Sequence, residues 1–268
     1  MTERRSIVSF DLDMTLLDHS DYKIPASALQ ALERLRTDHR IVLASGRDMD
    51  NHYSRQYRDI IKPDGIIHMN GTKVTVGDEL LYAHRMDRAL LEALLRFAME
   101  HDLSLGVTIG DRDYYTDPEG VREMDLKRWG EMDRHFMDPL LLLDMPVQTL
   151  AYIGTEEGVR LLEDRFPQVK FPMFAGRMGA DVVEREASKA EGLKRLCAIW
   201  DIDIRHTAAF GDSMNDLEIL QEAGIGIAMG NAIDQLKAHA DYVTAPIGQD
   251  GVLGACEHFH WFSAFKED

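Results

Sequence analysis

The stretch "VSFDLDMTLLD" (residues 8–18) reads as a buried strand that ends in two aspartates one residue apart, Asp11 and Asp13. Carboxylates in apolar surroundings are costly unless paired, hydrogen-bonded or bound to metal, so their place calls for a cation. The pattern returns at "GDSMND" (211–216), where the apolar run "TAAF" leads into Asp212 and then Asp216. If the two runs are neighbouring strands, Asp11, Asp13, Asp212 and Asp216 converge. Such a set of hard oxygen donors suits Mg²⁺ that keeps several waters beside a substrate phosphate. One carboxylate there can attack phosphorus, while a second protonates the leaving oxygen and later deprotonates water. Asp11, at the strand tip, suits the first role and Asp13 the second. Ser45 and the Gly46 amide, from "SGR" (45–47), can hydrogen-bond phosphoryl oxygens, and Lys189 can neutralise charge on nucleophile and phosphate.

These residues need a scaffold that delivers strand ends to one place. In the first third, "SIVSF", "IVLAS" and "GIIHM" are strand-like. They alternate with a helix that puts Ala28, Leu32 and Leu35 on one stripe, and with a second helix that runs up to Pro63. The last third repeats the rhythm: helix from Lys189, strand "HTAAF", helix "DLEILQEAG" closed by Gly224, strand "IGIAM", helix "IDQLKAHA" and strand "DYVTA". Alternation of this kind predicts an α/β fold, with a doubly wound, mostly parallel Rossmann-like core sheet and ligands at the carboxyl ends of its strands.

Residues 84–186 break the rhythm. A helix "DRALLEALLRFAMEH" precedes a hairpin that turns at Gly110-Asp111, a polar helical stretch, "VQTLAYIG", a helix "EEGVRLLEDRF", and the strand-like "VKFPMF" and "ADVVE". Hairpin-linked strands predict an antiparallel sheet, hence an inserted α+β cap domain at 84–186 between core segments 1–83 and 187–268. The linkers fall near Tyr82–Met86 and Glu184–Ser188.

The motifs "DLDMTLL" (11–17), "SGR" (45–47), "NG" (70–71), Lys189, "GDSMND" and "AMGNA" (228–232) together resemble the haloacid dehalogenase (HAD) superfamily phosphatases of the Cof type, in family order across both core segments. The resemblance implies an aspartyl-phosphate at Asp11 and acid–base work by Asp13. It implies Mg²⁺ held by Asp11, Asp212 and the Asp13 carbonyl, with phosphate contacts from Ser45, Lys189 and Asn215. Asp216 would support the metal ligands from behind. It also implies hydrolysis of small phosphate monoesters such as sugar phosphates, with the cap closing over the core to exclude water and choose the substrate. One position departs from the family pattern: Met14 stands where Gly is usual.

Rival readings are weaker. An EF-hand loop would need Gly at 16 and Glu at 22, where Leu16 and Tyr22 stand. "GIGIAMG" (224–230) nearly matches a dinucleotide fingerprint but precedes its strand instead of following it. A phosphosugar mutase would use the same aspartyl-phosphate. A non-catalytic phosphometabolite sensor would have no use for a general acid. A net charge of −17 argues against nucleic acid and anionic membrane partners. No run approaches a membrane span, and "MTERRSIVSF" lacks a signal-peptide core. The two cysteines show no metal spacing, which fits a cytoplasmic protein with reduced thiols. The expected partner is a small-molecule phosphate ester; no oligomeric state is read, and a monomer is compatible. Tyr114, Tyr115 and Arg177 are candidate substrate contacts in the cap by chemistry alone.

Overall fold

The computed structural model describes residues 6–128, 130, 132–174 and 178–262. Along the chain the first core segment comprises β1 (Ile7–Phe10), α1 (Ala26–Leu35), β2 (Arg40–Ala44), α2 (His52–Ile61), β3 (Gly65–His68), β4 (Lys73–Val76) and β5 (Glu79–Ala83). The insert holds α3 (Arg88–Glu100), β6 (Ser104–Ile109), β7 (Arg112–Tyr115), α4 (Pro118–Arg128), β8 (Leu150–Ile153), α5 (Glu156–Arg165), β9 (Val169–Lys170) and β10 (Ala180–Glu184). The chain then continues through α6 (Lys189–Trp200), β11 (Thr207–Gly211), α7 (Leu217–Glu222), β12 (Ile225–Ala228), α8 (Asp234–Lys237), β13 (Tyr242–Val243) and α9 (Gly251–His258). By its contacts it divides into two compact units, Met1–Tyr82 with Ser188–Asp268, and Ala83–Ala187.

The first unit is built on an eight-stranded sheet in the order β13-β12-β11-β1-β2-β3-β4-β5. From β13 to β3 all neighbours are parallel, as βαβ crossovers require, and β4 joins β3 antiparallel. The central strands are buried along their whole length because helices cover both faces, which is why "IVSF" and "TAAF" are continuous apolar runs. On α1 the expected stripe is buried, with Ala31 beside Ala28, Leu32 and Leu35. The sequence reading assigns no strands to 73–83, where β4 and β5 extend the sheet, nor a helix to α9, which packs on α1. Gly224 does not close α7. That helix ends at Glu222, and Gly224 serves close packing instead, since a Cβ there would lie 2.2 Å from the Arg205 carbonyl oxygen.

The second unit is an antiparallel sheet in the order β7-β6-β8-β10-β9, with its own apolar core from α3, α5 and the sheet. Its hairpin turns at Gly110, at φ +65°, and Asp111, as expected. Arg134 ties the buried Asp113 (2.9 Å) to the buried Asp125 (2.8 Å). Among the described residues no helix is long and apolar enough to cross a membrane.

Candidate active site

Phe10 and Phe210 are register partners on β1 and β11, and their rings stack at 4.8 Å. The residues that follow them therefore leave the sheet side by side, and the Asp11 N–H still donates to the Phe210 carbonyl at 3.0 Å. Asp11, Asp212 and Asp216, all buried, each present a carboxylate oxygen within 4.8 Å of the others. Lys189, the first residue of α6, sends its Nζ between two of them, 2.6 Å from Asp11 Oδ1 and 2.6 Å from Asp216 Oδ1. Ser188 caps that helix through the Glu191 N–H at 3.1 Å.

The charges do not balance: three carboxylates face one ammonium. Burial pushes Asp11 up to about 8 against the pull of Lys189, with Asp216 and Asp13 adding repulsion. Burial, then Asp11 and Asp216, raise Asp212 well above an ordinary carboxyl. Burial opposes the charge on Lys189, but Asp11 and Asp216 outweigh it and raise the lysine above its usual value. Asp216 is fully engaged. Its Oδ1 takes Lys189, and its Oδ2 accepts the N–H groups of Asp212 (3.0 Å) and Ser213 (3.2 Å).

Asp13 is half-buried and turns to other partners. Arg47 donates from Nε to Asp13 Oδ2 at 2.7 Å and from Nη2 to Oδ1 at 2.5 Å, and His19 Nε2 lies 2.7 Å from the same Oδ1. Burial would raise this carboxyl, but the His19 and Arg47 contacts overcome it and bring it down to about 2. Met14 has φ +58°, a left-handed conformation that explains why glycine is the easier residue there. Asn231, from the "AMGNA" motif, steadies it by donating to the Met14 carbonyl at 2.8 Å.

The remaining sequence candidates lie on adjoining loops. Ser45 is buried after β2, its Oγ accepting from the Arg47 N–H at 3.1 Å, with the half-buried Gly46 between them. Asn70 links two of the expected phosphate contacts: its N–H donates to the Ser45 carbonyl (3.0 Å) and its Oδ1 accepts from Asn215 Nδ2 (3.1 Å). Lys73 bridges Asp48 (2.9 Å) and Asp50 (2.7 Å), and Arg58 joins Asp50 to Asp78 at 2.5 Å each, which pins the loop after Arg47 to the β4–β5 hairpin. Of the candidate contacts in the insert, Tyr114 and Tyr115 are buried inside their own unit, where burial pushes Tyr115 up to about 12, so both are packing residues. Arg177 lies outside the described residues. Sequence reasoning missed the contacts of His19, Arg47, Asn70 and Asn231. The only signal was that Arg47, Asn70 and Asn231 sit in motifs: the bonds of Arg47 to Asp13, Asn215 to Asn70 and Asn231 to Met14 span 34, 145 and 217 positions and leave no spacing to read, while His19, six residues from Asp13, belongs to no motif.

The family model of haloacid dehalogenase-like hydrolases matches residues 8–255, nearly the whole chain and every core motif. The chain belongs to this family. Among its relatives, phosphatase YwpJ of Bacillus subtilis (strain 168) is 27% identical, over 94% of this chain and 99% of that protein. The HMP-PP phosphatase of Yersinia enterocolitica is 29% identical over 96% of each. Among solved structures, the HAD subclass IIB sugar phosphatase BT4131 matches with a TM-score of 0.85 at 27% identity, covering 96% of this chain and all of that one.

A divalent metal fits the hydrolase's residues. The three carboxylates offer only hard oxygen donors, when all are ionised they exceed Lys189 by two negative charges, and the buried Asp212 carboxylate takes no hydrogen bond from any described residue.

Proposed function

We propose that the chain is a Mg²⁺-dependent phosphatase of small phosphate monoesters, sugar phosphates or related metabolites, that works through an aspartyl-phosphate on Asp11. The observation that carries this reading is Lys189, a buried ammonium shared between Asp11 and Asp216 and facing an uncompensated Asp212. A phosphate dianion could not enter a cluster of three bare carboxylates, and bound Mg²⁺ supplies the positive charge that lets it approach. Asp11, Asp212 and the Asp13 carbonyl would hold the ion. Asp216, with its own oxygens engaged, positions Lys189 and the Asp212 loop.

Asp11 Oδ1 is fixed by Lys189, which orients the carboxylate for attack on phosphorus and stabilises the charge passed to the phosphoryl oxygens. Ser45, Gly46, Asn215 and Lys189 bind those oxygens. Asp13 gives a proton to the leaving alcohol and takes one from the water that cleaves the aspartyl-phosphate. Held ionised by Arg47 and His19, it is ready for the second of these steps, while the first takes its protonated form. The unit Ala83–Ala187 is assigned the choice of substrate, as the inserted cap. Support for the substrate class comes from the named relatives, one of which is a sugar phosphatase and another an HMP-PP phosphatase.

Phosphate release measured with Mg²⁺ across sugar phosphates, nucleotides and pyridoxal phosphate tests the proposal. Turnover of one or more sugar phosphates is expected. Transfer of the phosphoryl group to a second sugar position would mark a mutase, and binding without release a sensor.

A further inference from the structure

Arg47 completes the Ser45-Gly46-Arg47 turn, yet its side chain has no part in binding phosphate in the roles above; it appears only as a charge beside Asp13. Where an arginine follows phosphate-binding residues, the simple expectation is a fork aimed at phosphate. Here Nε and Nη2 both face Asp13, and His19 takes the other side of Oδ1. A carboxylate has roughly four acceptor directions, and these donors fill three of them, leaving one on Oδ2. Both clamps are themselves anchored. The Arg47 N–H donates to Ser45 Oγ at 3.1 Å and its carbonyl accepts from the Met69 N–H at 3.1 Å, while the His19 ring stacks on Tyr22 at 5.5 Å.

We infer that Arg47, with His19, is a positioning residue for proton transfer: it fixes the plane of the Asp13 carboxylate so that the remaining acceptor direction on Oδ2 meets the leaving oxygen and then the water. The proton given to the leaving alcohol is replaced by the one taken from water, so Asp13 returns unchanged and water is consumed. This rests on the reading of Asp13 as the proton-transfer group.

The test uses the full-length enzyme with Mg²⁺, p-nitrophenyl phosphate, whose leaving group needs little protonation, and the best alkyl phosphate from the substrate panel. Arg47→Lys keeps the charge and loses the fork, which is not a conservative change at a two-point contact. It is expected to lower kcat on the alkyl ester by about tenfold, part of the ~10²–10⁴ that acid–base help contributes, with KM little changed. Phosphorylation by p-nitrophenyl phosphate should be nearly spared. In an Asp13→Asn background, Arg47→Lys should cost almost nothing more, because a residue acting through Asp13 has nothing left to position. A raised KM and weaker inhibition by inorganic phosphate, with kcat unchanged, would show Arg47 to be a phosphate ligand and overturn the inference; so would losses that multiply in the double variant. Should Arg47→Lys fail to fold, His19→Ala against His19→Gln carries the same comparison, with Gln expected to recover part of the loss as a donor. If Asp13→Asn itself leaves alkyl-ester turnover intact, it is the reading of Asp13 that fails. If Asp13→Asn collapses turnover and Arg47→Lys does not, only the role of Arg47 fails.

Discussion

A Cβ on Gly71 would lie 1.9 Å from the carbonyl oxygen of Ser188, so the turn after β3 and the start of α6 touch backbone to backbone. That contact seats the first turn of α6, and with it Lys189, against the carboxylates. Gly71 also has φ +90°, outside the range of L side chains.

Gly71→Ala combines a strained φ with a backbone clash, and should destabilise the protein by roughly 2–4 kcal/mol. Thermal unfolding measures this directly. A Tm equal to that of the parent would show that the turn and α6 can separate without loss.

Lys189→Met leaves the buried Asp11 and Asp216 without their cation. Breaking a buried pair in this way costs about 3–5 kcal/mol where both carboxylates are ionised. The loss should shrink as pH falls below about 8, the range in which Asp11 takes up its proton and no longer needs a partner. Urea unfolding of both proteins at pH 5 and pH 8 checks it; a deficit that is the same at both pH values would place the cost in packing instead of charge.

Metal removal gives a linked pair of outcomes. Excess chelator should abolish phosphate release and Mg²⁺ should restore it. The Asp11 pKa rises from 3.8 to about 8 on folding, so its contribution to stability is fully present below 3.8 and is lost as pH climbs through 8. Asp212 is raised too and acts in the same direction. The metal-free protein should therefore lose Tm between pH 4 and pH 8, and added Mg²⁺ should recover more of it at pH 8 than at pH 5. Asp13, lowered to about 2, works oppositely: its contribution is present above 3.8 and lost as pH falls toward 2. Undiminished turnover in chelator would refute the metal assignment.

The two aspartates of the first loop should separate by experiment. Asp11→Asn removes the nucleophile, so hydrolysis should vanish and acid quench should trap no phosphoenzyme. Asp13→Asn keeps the backbone carbonyl, so calorimetric Mg²⁺ affinity should stay near the parent while turnover falls by ~10²–10⁴. An activated ester should recover part of its phosphorylation step. A phosphoenzyme on Asp11→Asn, or one lost only in Asp13→Asn, would reverse the two roles.

The order of strands and helices in both halves of the core was readable from sequence, because fully buried parallel strands need unbroken apolar runs and their crossover helices need a stripe. Acidic residues at the ends of two such runs stood out for the same reason: "IVSF" and "TAAF" leave no ordinary place for Asp11 and Asp212. The antiparallel character of 104–115 was also local, set by a turn that takes Gly110 left-handed. The β4–β5 hairpin and α9 escaped notice, since short strands at and next to the sheet edge and a helix carrying two glycines make weak patterns. The pairing of charges was a matter for the tertiary structure alone. Lys189 lies 178 residues from Asp11 in the chain, and Arg47 lies 34 from Asp13. Each has several acidic residues nearer in sequence, and only the parallel register of β1 with β2 and β11, together with the close approach of Gly71 to Ser188, selects the partner it meets. The same geometry made Tyr114 and Tyr115 core residues, because alternation along a strand leaves open which face the rest of the chain will cover.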